Sequence, residues 1–143
     1  MYTRRNVWWT PGVDDLSSAA DHTDLFIAGS RMRIHSVGAV IVGTTETDGA
    51  ATIQVDKTAN SGTGGTRGAA DAGSIVVPDN LDVAEMVVDT TSTIFPFTLE
   101  RGEFLTFQIS DAATSGSAHY TVEYEPLQDT LANDGTGLVT EST

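Results

Sequence analysis

With 143 residues, 39% of them hydrophobic and 19% charged, the chain has one domain's length and a soluble globular composition; its longest apolar run, Val37–Val42, is far too short for a membrane span. The absence of cysteine excludes disulfides, thiolate metal sites and cysteine nucleophiles. The net charge of −13 argues against nucleic-acid binding, which needs clustered Lys and Arg to release counterions from phosphates.

The charge is uneven. Up to Arg33 acidic and basic residues cancel, and beyond it only Lys57, Arg67 and Arg101 oppose sixteen acids, so the acidity belongs to the rest of the domain and to the C-terminus. At the N-terminus Arg4 and Arg5 lead into Trp8, Trp9 and Pro11 without an apolar h-region, which does not fit a signal peptide. A strand over 7–10 would point Trp8 and Trp9 to opposite faces, so one of them faces something other than the core. The segment either covers an edge of its own sandwich or packs on a partner. Trp and Arg are enriched at interface hot spots, which makes Arg4, Arg5, Trp8 and Trp9 candidate partner-binding residues.

Residues 13–20 predict a loop with at most a short helical turn, favoured by aspartates at its start. Strands are predicted over 25–28 and 31–42, the second with Met32, Ile34, Ser36, Gly38, Val40 and Val42 on one face. A strand over 51–56 follows, then a Gly-rich stretch over 58–73 without apolar pattern. Long loops of this kind are usually functional, and one carrying Arg67 reads as an interaction loop. Its glycines fit neither GxxxxGK[ST] nor a GxGxxG between strand and helix. Further short strands are predicted over 74–77, 86–88, 93–99, 103–109 and 119–125, each closed by turn-formers. Pro96 marks an edge, a bulge or a strand start, and Gly102 sits where a tight turn needs positive φ. In 104–109 the set Leu105, Phe107 and Ile109 is the core face.

The resulting expectation is an all-β protein, an antiparallel β-sandwich. An N-terminal arm and acidic loop occupy 1–24, the sandwich 25–126 and a flexible tail 127–143. No catalytic motif stands out. His22, His35 and His119 are scattered, and Thr114-Ser115-Gly116-Ser117 lacks the GxSxG pattern of a nucleophile elbow. Asp14, Asp15, Asp21 and Asp24, or Asp79, Asn80 and Asp82, could ligate calcium, but neither group has DxDxDG spacing, and capped turns explain them as well. Exposed Tyr2, Trp8 or Trp9 could stack on sugar rings. The reading is therefore a non-enzymatic protein with no cofactor and no metal.

Three strings carry a resemblance. Ile34-His35-Ser36-Val37-Gly38-Ala39-Val40-Ile41-Val42, Gly73-Ser74-Ile75-Val76-Val77-Pro78, and Leu99-Glu100-Arg101-Gly102-Glu103-Phe104-Leu105 closed by 116–126 resemble small β-sandwich virion proteins of tailed bacteriophages, above all capsid decoration (cement) proteins. Glu103 stands where that pattern more often has Asp. The likeness covers about residues 31–126. It implies a jelly-roll-like sandwich that forms a homotrimer on the capsid exterior and binds the major capsid protein. An alternative is a carbohydrate- or receptor-binding module of a phage tail or fibre.

Overall fold

A computed structural model describes residues 5–18, 25–45, 50–58, 72–89 and 94–127. All of its regular structure is β: β1 (Asn6–Trp9), β2 (Asp14–Asp15), β3 (Leu25–Ile27), β4 (Met32–Gly43), β5 (Ala51–Thr58), β6 (Gly73–Val77), β7 (Met86–Val88), β8 (Phe97–Leu99), β9 (Phe104–Asp111) and β10 (Ser117–Pro126). Two antiparallel sheets pack together as a β-sandwich. Sheet A runs β1-β10-β4-β7, with β2 also on β10 and β8 also on β4; sheet B runs β3-β9-β5-β6.

Alternation builds the core. Ala51, Ile53 and Val55 of β5, Leu105, Phe107 and Ile109 of β9, and Ala118, Tyr120 and Val122 of β10 all turn inward and are buried. Phe107 of sheet B stacks on Tyr120 of sheet A with centroids 4.9 Å apart and planes 12° apart, fastening the sheets at mid-core. At one end Lys57 Nζ closes the layer, donating to the Thr98 carbonyl at 3.2 Å and meeting Glu103 at 3.5 Å.

Four sequence expectations change. The sandwich begins at Asn6, not at residue 25: β1 pairs with β10 from Asn6↔Tyr124 to Trp9↔Thr121, and Leu16 is fully buried. The arm over 1–24 is thus in part an edge strand, because Trp8 and Leu16 bury apolar surface that this side of the core would otherwise expose. Within 13–18 there is no helix; Asp14 and Asp15 pair with Ala118 and Ser117, and Ser17 then closes a turn on Asp15.

The inward face of β4 also differs. Met32 and Ile34 face the core as expected, but beyond Ser36 the buried set is Val37, Ala39 and Ile41. The pairings Tyr124↔Ile34 and Glu123↔Ser36 leave His35 as an extra residue, and such a β-bulge reverses the alternation. Finally, β8 starts at Phe97, after the cis Phe95–Pro96 bond, because Pro96 has no N–H for a ladder. Gly102 has φ +87° in the β8–β9 turn, where the sequence placed it.

Candidate functional site

The outer face of sheet A is built from alternate residues of its strands. Rows run across it from Val7 to Glu123 to Ser36, and from Trp9 to Thr121 to Gly38 to Val88. Gly38 is required here: a Cβ would lie 2.6 Å from the Val87 carbonyl oxygen and 2.9 Å from Thr121 Oγ1. Along the face Arg5 Nη1 donates to Glu123 Oε1 at 3.0 Å and Arg33 Nη1 to Glu125 Oε1 at 3.3 Å. His35, the bulged residue, brings Nε2 to 3.8 Å from the same Glu125 oxygen. In a chain of net charge −13, this face is locally balanced.

The two tryptophans separate as their adjacency requires. Trp8 turns inward, edge-on to Phe26 at 5.1 Å and stacked near Phe107 at 6.4 Å. Trp9 turns outward, 67% exposed, on the same face as Arg5 and Val7. The proposed partner-binding set is therefore divided: Arg5 and Trp9 share a surface, while Trp8 belongs largely to the core. Arg4 and Arg67 lie outside the described residues, as do most of the Gly-rich loop and the tail beyond Leu127.

The sequence matches no protein-family model and no curated protein.

Two grooves, neither legible in the sequence, open along the sides of the sandwich. One, of about 410 Å³, lies between β1 and β3 and is lined by Trp8, Phe26, Met32, Tyr124 and Pro126 among others. The other, of about 370 Å³, lies between β6 and β7 and is lined by Val76, Pro78, Leu81, Met86 and Val88 among others. Both arise because the edge strands of the two sheets stand side by side without a shared β-ladder.

Several of the acidic and imidazole groups among the described residues have structural partners. Asp15 Oδ1 accepts from Ser17 Oγ at 2.6 Å and from Ser17 N at 2.9 Å, and these two bonds hold its carboxyl below the ordinary aspartate value. Glu85 accepts from Asp82 N at 2.6 Å, while Asn80 takes φ +58° in the preceding turn. His119 Nδ1 bonds the Thr10 carbonyl at 2.9 Å, securing β1 to β10. Among the described residues no three His, Asp or Glu side chains converge on a metal position. His22, Asp21 and Asp24 lie outside them.

Proposed function

We propose that this chain is a non-enzymatic structural protein of a tailed-phage virion, a capsid decoration protein that binds across neighbouring major capsid subunits on the head exterior. The observation that carries the reading is Trp9, placed on strand β1 and 67% exposed beside Arg5 and Val7, on a face whose ion pairs balance. An exposed aromatic beside an arginine on a surface whose charges balance has the composition of a protein-binding hot spot. The mechanism is binding free energy added across subunit seams, which opposes internal DNA pressure. A homotrimeric state belongs to the same reading.

The jelly-roll form of the sandwich is supported by its strand order. With β2 and β8 set aside as short extensions, the strands follow β1-β10-β4-β7 and β3-β9-β5-β6, so chain-distant strands β1 and β10 are neighbours and every successive pair except the β5–β6 hairpin crosses between sheets. That wrapped order suits eight strands in two Greek keys.

The aromatic groove between β1 and β3 favours a second reading, a glycan- or receptor-binding module, since Trp8 and Tyr124 line it. Co-sedimentation with empty shells of the encoding phage separates the two. Saturable binding that is lost in Trp9→Ala supports decoration; no binding to shells, with retention on a glycan surface, supports the module.

A further inference from the structure

The groove between β1 and β3 presents apolar surface to water. Trp8, Phe26 and Tyr124 form a connected aromatic set in it, Phe26 lying 5.1 Å from Trp8 and 5.5 Å from Tyr124 between ring centroids. Ile27, which also lines it, is 60% exposed. A Cβ on Gly29 would meet no atom within 4 Å, so that stretch of its wall is open. At about 410 Å³ the groove has the size of a site for a small ligand or a few side chains. Leaving such a surface bare forgoes the free energy of its burial.

The chain leaves the sandwich at this groove. β10 pairs with β4 as far as Pro126↔Met32, and one step further Leu127 N donates to the Arg31 carbonyl at 2.9 Å. Pro126 and Met32 line the groove on one side of that bond, Ser30 and Gly29 on the other, so Leu127 is fixed against its wall.

Residues 128–143 follow, outside the described residues, and begin Gln-Asp-Thr-Leu. Leu131 is the first large apolar residue among them. Tyr124 lies three residues back along β10 from Leu127, about 10 Å at the rise of a strand. The four residues from Leu127 to Leu131 extend to about 13 Å, so Leu131 reaches Tyr124 with slack. Attachment through so short a tether sets an effective concentration on the order of millimolar, at which a contact too weak to hold a free peptide is populated.

We infer that the segment beginning at Gln128 turns back into the groove of its own copy and seats Leu131 against Trp8, Phe26 and Tyr124. The seated leucine completes the apolar packing on the β1/β3 side of the sandwich. It also excludes a sugar ring from Trp8 and Tyr124, so the inference opposes the glycan reading and rests in no part on decoration.

The test uses the full chain with methyl-labelled leucine and reads nuclear Overhauser contacts, which report only close approach. Cross-peaks are expected from the Leu131 methyls to ring protons of Trp8, Phe26 or Tyr124. They are expected to persist within one copy when labelled and unlabelled chains are mixed. Leu131→Asp is expected to abolish them and to shift the Trp8 indole and the Ile27 and Gly29 amides, while the Val76 and Val88 amides on the opposite side stay in place. Should that variant move Val76 and Val88 as well, Leu131→Ala replaces it. Absence of the cross-peaks, Leu131 contacts elsewhere on the sandwich, or contacts that form only between copies overturn the inference. Groove resonances unmoved by substitution of Leu131 overturn it equally.

Discussion

Trp8 and Trp9 are neighbours in the chain with different energetic roles. Trp8 packs on Phe26 and Phe107 but is only partly buried, so Trp8→Ala is expected to cost about 2–4 kcal/mol, somewhat under the about 3–5 kcal/mol of fully buried aromatics. Trp9 has most of its surface in water, and Trp9→Ala is expected to stay within about 0.5 kcal/mol of wild type. Urea unfolding of both variants checks this, and equal losses would place Trp9 in the fold instead of on a binding surface. The sequence already required the pair to face opposite ways, since alternation follows from the pleat. It could not say which faced inward: that depends on Phe26 and Phe107, which reach Trp8 only through long-range pairing.

At the scale of elements, β6 and β7 are tied where their sheets meet. Asp89, just past β7, accepts from Ser74 N at 2.9 Å, and Gly73, at φ +129°, permits this approach because a Cβ there would lie 3.0 Å from Asp89 Oδ2 and 2.8 Å from Val37 Cγ2. Asp89→Ala removes a charge-assisted acceptor worth about 1.5–3 kcal/mol. Hydrogen exchange at the Ser74 amide should therefore accelerate at least about tenfold, while Asp89→Asn retains most of the protection. Unchanged exchange at Ser74 in the alanine variant would mean that the carboxylate does not hold this edge.

Most strands were legible from alternation and turn chemistry: β7 was expected with its observed bounds, and the inward set Leu105, Phe107 and Ile109 of β9 was read in phase. The phase of β4 was not, because Val37 to Val42 is apolar or small on both faces and gives no sign of the extra residue at His35. The sequence allows a strand at β1 but leaves its role open between an edge of this sandwich and a partner-bound arm. Four residues offer too short a pattern to distinguish an edge strand of this core from an arm bound to another.

For the whole molecule, two features bear on function together. The acidic charge keeps most of the surface in water, while the uncharged edge strands β1, β3, β6 and β7 and the balanced outer face of sheet A stand out as exceptions to it. Neither groove could be anticipated, since each is formed by strands from different sheets whose proximity is a property of the fold. Under the proposed function, docking on a phage head strengthens the shell. Its most direct test is the temperature at which DNA-filled heads lacking this chain release their DNA, followed with a nucleic-acid dye as purified chain is added back. The expected midpoint rises with added chain and saturates once the sites are filled. A midpoint that does not move at saturating chain would contradict it.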